Sequence, residues 1–181
     1  MAEADPAPVL PSPEARPSPL SLADAAATRA LGRQLARQLL RLCRPGVAPL
    51  LLLHGDLGAG KTCLVQGLAE ELGIAEPITS PTFALAQHYA GLRPDDIATA
   101  LVHLDLYRLD TGGSADELFA QEEEEASALG ALMAVEWPER LGALPGDAWQ
   151  VELTLLDPER PEAGRLARIS VPPGEALAEA G

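Results

Sequence analysis

The chain has 181 residues, of which 47% are apolar and 22% charged, the balance of an ordinary globular protein. This excludes a wholly disordered or fibrous chain, and the length suits one domain better than two. The net charge of −14 disfavours broad attraction to nucleic acid or anionic lipid, so a bound polyanion needs a local positive site. No apolar stretch approaches the roughly 20 residues of a membrane-spanning helix, and residues 1–5 lack the basic start of a secretory signal. We therefore expect a cytoplasmic protein.

Two further features of the composition narrow the chemistry. Lys61 is the only lysine beside twelve arginines, and asparagine is absent. Without asparagine the chain cannot build a base-recognition loop around an Asn-Lys pair, which disfavours a GTP switch. Cys43 and Cys63 stand 20 residues apart with no metal-ligand spacing around them, so we predict neither a disulfide framework nor a zinc site.

The first elements in chain order are a proline-rich tail and an amphipathic helix. Residues 1–20 contain six prolines and predict a disordered tail, which precedes one domain over residues 21–172 and a flexible tail over 173–181. Leucines at helical spacing then predict a helix that stops at a Pro-Gly turn: Leu31, Leu35, Leu39 and Leu42. Arginines at the same spacing predict a basic strip on its opposite face, with docking of RNA or an acidic protein as an alternative role: Arg33, Arg37, Arg41 and Arg44.

A phosphate-binding loop follows. Residues 55–62, Gly-Asp-Leu-Gly-Ala-Gly-Lys-Thr, match the pattern G-x-x-x-x-G-K-[ST], and they lie between a predicted buried strand over 49–54 and a predicted helix ending at Gly73. Glycines let consecutive backbone N–H groups converge on phosphate oxygens at a helix N-terminus. Lys61 should then reach the β- and γ-phosphates, and the Thr62 hydroxyl should bind Mg²⁺.

Two later strands are predicted to bring carboxylates to the same edge of the sheet. Residues 101–106 and 132–137 run apolar into Asp105 and Glu136, and the carboxyl ends of parallel strands form the nucleotide crevice. One carboxylate would hold the metal and the other would position the attacking water, with either residue suited to either role. Near the C-terminus, alternating residues over 149–155 and a partner over 165–171 predict an antiparallel hairpin.

Other residues admit two interpretations each. Thr82 is either a switch residue that senses the γ-phosphate or part of a turn. Trp137 either stacks on a base or a partner, or anchors the sheet edge. His103 is interpreted as a satisfied core histidine, with a catalyst as the alternative. The acidic residues 116–125 are interpreted as a solvated helix face, with a basic partner as the alternative.

Four blocks together resemble the TsaE (YjeE) ATPases of bacterial tRNA threonylcarbamoyladenosine synthesis. They are residues 55–62, 80–83, 103–108 and 135–138, in that order, and the resemblance runs from about Thr28 to Val171. It implies an α/β, three-layer P-loop NTPase fold whose mixed sheet has a parallel centre and antiparallel edge strands. It also implies Mg²⁺-ATP hydrolysis alongside the TsaB and TsaD proteins, needed for repeated formation of the threonylcarbamoyl group on adenosine 37 of tRNAs reading ANN codons.

Carried over by position, the resemblance assigns roles to individual residues. Glu136 becomes the second ligand on the Mg²⁺ side, beside Thr62, and Asp105 positions or activates water. Lys61, Asp105 and Glu136 are thus the candidate catalytic residues. The candidate nucleotide-binding residues are Gly55, Asp56, Leu57, Gly58, Ala59, Gly60, Lys61, Thr62, Cys63, Thr82 and Trp137.

Two rival functions share the same loop. A small-molecule kinase would use the loop and the metal, but it usually has an arginine-rich lid, and only Arg93 and Arg108 lie between Gly73 and Glu136. A nucleotide-gated docking module would hydrolyse ATP only incidentally.

Overall fold

The computed structural model describes residues 18–175, and these form a seven-stranded sheet with three α-helices. The strands are β1 (Leu20–Leu22), β2 (Leu50–His54), β3 (Ala86–Leu92), β4 (Ala98–Asp105), β5 (Leu132–Glu136), β6 (Trp149–Leu155) and β7 (Arg165–Ser170). The α-helices are α1 (Ala25–Leu39), α2 (Lys61–Leu72) and α3 (Ser114–Leu129). Most of the predicted N-terminal tail, residues 1–17, and residues 176–181 of the predicted C-terminal tail lie outside the described residues.

The sheet has a parallel centre and antiparallel edges, which confirms the predicted fold class. Its strand order is β1-β7-β6-β2-β5-β4-β3. β2 runs parallel to β5 and β6, and β4 runs parallel to β5. β1 with β7, β6 with β7 and β3 with β4 pair antiparallel. Because the central strands share a direction, the segments that follow β2, β4 and β5 meet at one edge of the sheet.

β2 is buried on both faces, as its run of leucines predicts. Leu51 and Leu53 join the core that contains the buried residues of α1 and α2, whereas Leu50 and Leu52 join a second core with α3. Each such leucine contributes about 1.5–3 kcal/mol through burial. The molecule is therefore three layers deep, with the sheet between two helical layers.

Two edge strands were not predicted. β1 pairs with β7, and Leu20 lies opposite Ala167 in this pairing. Leu20 was predicted to lie in the tail, but it belongs to the sheet. α1 begins at Ala25, after Asp24, whose side chain caps it. β3 buries only Tyr89, and it therefore lacks the apolar run by which a buried strand is recognised.

Two arginines of the predicted basic strip, Arg33 and Arg37, pair with glutamates of α2. Arg33 pairs with Glu70, and Arg37 Nε lies 3.0 Å from Glu71 Oε2. Both arginines remain partly exposed, as predicted for the basic strip, but their charges are matched by glutamates of the neighbouring helix. This weakens the alternative in which the strip binds a polyanion.

The acidic run lies in α3, and one of its residues corrects the predicted solvated face. Glu122 is buried, and its Oε2 lies 2.5 Å from His88 Nε2 on β3. Glu125 lies 3.5 Å from the other ring nitrogen of His88. These contacts fasten α3 to the edge of the sheet. Within residues 18–175, no helix is both long and apolar enough to cross a membrane.

Candidate functional site

The phosphate loop joins the end of β2 to the start of α2, where the sequence predicted it. Gly55 and Gly60 have φ angles of +136° and +105°, a backbone region that residues with a Cβ rarely adopt. A Cβ on Gly55 would also lie 2.4 Å from the Leu153 carbonyl oxygen, so the loop packs directly against β6. α2 ends at Gly73 in the left-handed conformation, also as predicted.

Lys61 is buried at the N-terminus of α2 and reaches back across the loop. Its Nζ donates hydrogen bonds to the carbonyl oxygens of Gly55, at 2.6 Å, and Asp56, at 3.0 Å. The same ammonium lies 4.0 Å from the ring centroid of Trp137, which covers it as a cation–π partner. Burial lowers the pKa of Lys61, while the nearby carboxylates, Glu136 foremost, act in the opposite direction.

Glu136 is held between the phosphate loop and β4. The Thr62 hydroxyl donates to Glu136 Oε1 at 2.8 Å, and His103 Nε2 lies 3.0 Å from the same oxygen. His103 is fully buried, and its Nδ1 has no hydrogen-bond partner among the described residues. A carboxylate oxygen accepts only, so a hydrogen bond in this contact is donated by His103 Nε2. His103, which was predicted to be a core histidine, is therefore also one of the residues that orient Glu136.

Asp105 is held in place by both of its carboxylate oxygens. Oδ2 accepts hydrogen bonds of 2.7 Å from the hydroxyls of Ser80 and Thr82, and Oδ1 accepts one of 3.0 Å from Tyr107 N. Thr82 thus contacts Asp105, the carboxylate to which the resemblance gives the role of positioning or activating water. In the β4–β5 register Asp105 lies opposite Glu136, so both acids end neighbouring strands side by side.

These residues surround a single cavity of about 340 Å³. Ten of the thirteen candidate residues line it: Leu57, Gly58, Gly60, Lys61, Thr62, Cys63, Thr82, Asp105, Glu136 and Trp137. Gly55 and Asp56 contribute the carbonyl oxygens that hold Lys61, and Ala59 is buried in the hydrophobic core. Ser80 and Tyr107 line the cavity without having been predicted.

The donor set at the cavity suits a hard divalent cation. The Thr62 hydroxyl and the Glu136 carboxylate, which are hydrogen-bonded to each other, place two oxygen atoms side by side at the cavity. Oxygen ligands of this type are those that Mg²⁺ prefers. With two buried carboxylates and one buried lysine, the cavity also carries a negative excess that a cation would offset.

Comparison with known proteins agrees with this geometry. The family model of "Threonylcarbamoyl adenosine biosynthesis protein TsaE" matches residues 22–162. A tRNA threonylcarbamoyladenosine biosynthesis protein TsaE from Synechocystis is 46% identical over 127 residues, covering 68% of this chain and 72% of the relative. One from Nostoc is 42% identical over 120 residues, covering 66% of this chain and 68% of the relative.

A solved structure shares the fold. The crystal structure of Bacillus subtilis YdiB superposes with a TM-score of 0.55 at 25% sequence identity, covering 85% of each chain. The family match spans the phosphate loop, both buried carboxylates and all four sequence blocks. The chain therefore belongs to the TsaE family of threonylcarbamoyl adenosine biosynthesis proteins.

Proposed function

We propose that this chain is a Mg²⁺-dependent ATPase required to form the threonylcarbamoyl group on adenosine 37 of tRNAs reading ANN codons. The relatives are named for that tRNA modification, which supports the pathway and a cytoplasmic site of action. The observation that carries the ATPase proposal is the convergence of Lys61, Thr62, Asp105 and Glu136 on one cavity at the mouth of the phosphate loop.

The loop binds the triphosphate of ATP. Backbone N–H groups at the start of α2 and the positive end of its dipole attract phosphate oxygens. Lys61 moves its ammonium from the carbonyl oxygens of Gly55 and Asp56 to the β- and γ-phosphates, which offer it a full negative charge. Trp137, stacked over Lys61 and 4.8 Å from the Tyr107 ring, closes the outer side of the cavity.

Thr62 and Glu136 hold Mg²⁺. His103 and the Thr62 hydroxyl orient the Glu136 carboxylate before any ligand arrives, which lowers the cost of ordering it on binding. When bound, the metal neutralises charge that develops on the phosphate oxygens during transfer.

Asp105 positions the attacking water and accepts its proton. Both oxygens of Asp105 are occupied by Ser80, Thr82 and Tyr107. When Thr82 turns its hydroxyl towards the γ-phosphate, an acceptor site on Oδ2 becomes available for water. Thr82 therefore couples the presence of the γ-phosphate to the readiness of the base.

We further propose that the chain acts with the TsaB and TsaD proteins, resetting their complex between cycles, and meets tRNA through that complex. Partner groups complete the sites of other phosphoryl-transfer proteins, so the isolated chain is expected to turn over slowly. Hydrolysis then becomes fast only where it resets the complex.

The experiment measures phosphate release from ATP by the purified chain, alone and with TsaB, TsaD and tRNA, with and without Mg²⁺. The proposal predicts free phosphate, Mg²⁺ dependence, and stimulation by the partners. Lys61→Met should lower turnover at least about 100-fold, whereas Arg160→Met, which removes one exposed positive charge elsewhere, should not. Transfer of phosphate to a small molecule would establish the kinase instead, and tRNA modification that continues without hydrolysis would establish the docking module.

A further inference from the structure

Arg165 is a buried arginine that lies behind the phosphate loop. It has no role in the proposed hydrolysis of ATP. It is the first residue of β7 and pairs with Leu155 of β6 on one side and Leu22 of β1 on the other. The residue is only 7% exposed. Because two strands fix its backbone, the direction in which its side chain leaves the sheet is also fixed.

The guanidinium of Arg165 contacts the loop at two neighbouring residues. Nη1 donates a hydrogen bond of 2.9 Å to the Ala59 carbonyl oxygen. The same nitrogen lies so close to Gly60 that a Cβ built there would be 2.0 Å away. Arg165 therefore occupies the space that a side chain at position 60 would take.

The hydrogen bond to Ala59 also orients the N–H of Gly60. The Ala59 carbonyl and the Gly60 N–H belong to one planar trans peptide unit and point in opposite directions. Arg165 holds the carbonyl on its own side of the loop, and Gly60 lines the cavity on the other. By fixing the carbonyl, the arginine also fixes the direction of the Gly60 N–H, which points away from the guanidinium.

The charge of Arg165 is not matched within the described part of the chain. None of the ion pairs between described residues includes Arg165, and its Nε has no hydrogen-bond partner there. A buried guanidinium without a counter-charge is costly. A polyphosphate bound on the far side of the loop supplies negative charge close to it.

We propose that Arg165 is a positioning residue of the phosphate loop, which holds the peptide unit between Ala59 and Gly60 with its N–H towards bound phosphate and adds a second buried positive charge behind the loop. This inference rests on the proposed function, because bound phosphate is the ligand that it serves. Arg165 touches the loop and not the reacting atoms, so it should affect the affinity for ATP more than the rate of hydrolysis.

The test compares Arg165→Gln and Arg165→Lys with a matched control on the same strand. Arg168 is exposed and lies 3.7 Å from Glu152, so Arg168→Gln removes an equal charge without touching the loop. For each variant, the Kd for Mg²⁺-ATP, the Kd for pyrophosphate, and the KM and kcat of hydrolysis are measured. A lost interaction that is equal in ground and transition states raises KM and leaves kcat unchanged.

Arg165→Gln should raise KM and both Kd values about tenfold, equivalent to about 1.4 kcal/mol, with kcat within about twofold. Arg165→Lys should recover part of the affinity, and Arg168→Gln should match the unsubstituted chain. A fall in kcat at unchanged KM would mean either a smaller folded fraction or an interaction made only in the transition state, and it would overturn the inference. Equal affinities for Arg165→Gln and Arg168→Gln would overturn it too, with the proposed function intact. If the unsubstituted chain bound no ATP, the proposed function would fail and the inference with it.

Discussion

Changing Asp105 to Asn removes the negative charge that is proposed to activate water while keeping the side chain nearly the same size. The carboxylate is 2% exposed and accepts three hydrogen bonds, two at Oδ2 and one at Oδ1. An amide placed with its oxygen towards Tyr107 N keeps one of these bonds. Its NH₂ group then faces the hydroxyls of Ser80 and Thr82, which can rotate to accept.

The magnitudes follow from these contacts. A hydrogen bond to a charged group contributes about 1.5–3 kcal/mol and a neutral one about 0.5–1.5 kcal/mol. Replacing two charged hydrogen bonds with neutral ones therefore costs about 2 kcal/mol of stability. The chain should therefore remain folded. Turnover should fall by about 10²- to 10⁴-fold, the usual contribution of a positioned base, because an amide cannot take the proton of water. The affinity for ATP should stay within about threefold of that of the unsubstituted chain, since the negatively charged Asp105 does not attract phosphate.

The assay pairs single-turnover phosphate release with equilibrium binding of a non-hydrolysable ATP analogue. Asp110→Asn is the control, because Asp110 is exposed and the substitution removes the same charge five residues further along the chain. Turnover of Asp105→Asn within about tenfold of the unsubstituted rate would refute the assignment of the base. A parallel loss of analogue binding would show that the residue maintains the cavity and does not activate water.

Three other substitutions or modifications test separate parts of the account. Glu136→Gln should raise the Mg²⁺ concentration for half-maximal turnover by about 10- to 100-fold, whereas the exposed Glu159→Gln should not, and equal Mg²⁺ titrations would contradict the metal assignment. Gly60→Ala should lose about 1–3 kcal/mol in denaturant titration because its φ is +105°, while Gly146→Ala, with no atom within 4 Å of the new Cβ, should be neutral. Burial raises the pKa of Cys43 from 9.0 to about 11, so its thiolate fraction at pH 8 is about 100-fold below that of the unfolded chain. Iodoacetamide labelling of Cys43, followed by mass spectrometry, should be correspondingly slower in the folded chain than in urea, and equal rates would contradict the burial.

The parallel centre of the fold was predictable because its signals are local. The leucines of β2, the glycine-rich loop and the end of α2 at Gly73 all lie within one continuous stretch of sequence. Asp105 and Glu136 each follow an apolar run, and each proves to be the last residue of its strand. A strand buried on both faces gives a short continuous apolar run, and the turn signals that flank it in the sequence identify it as a strand.

The edge strands escaped prediction because their stability comes from pairing and not from burial. β1 has three residues, of which Leu22 alone is buried, and β3 buries only Tyr89. Hydrogen bonds to a neighbouring strand leave no periodic signal in either sequence. The burial of Glu122 was missed for the same reason. In the sequence Glu122 belongs to an acidic run that predicts a solvated helix face, and it is the position of β3 that places His88 beside it.

The supporting residues of the site were harder to predict than the residues that face the cavity. Lys61 and Thr62 are identified by a motif, whereas His103 becomes relevant only when β4 and β5 align it with Glu136. Arg165 lies about a hundred residues from the loop that it contacts, separated by 106 positions from Ala59. Long-range contacts of this kind depend on strand order, which a single sequence does not specify.

The most direct test of the central claim is a crystal structure of the chain with Mg²⁺ and a non-hydrolysable ATP analogue. The account predicts the triphosphate within the curve of residues 55–62, the Lys61 ammonium on its β- and γ-phosphates, and Mg²⁺ bound by Thr62 and Glu136. An analogue bound elsewhere, with Lys61 still on the carbonyl oxygens of Gly55 and Asp56 at saturating concentration, would contradict it.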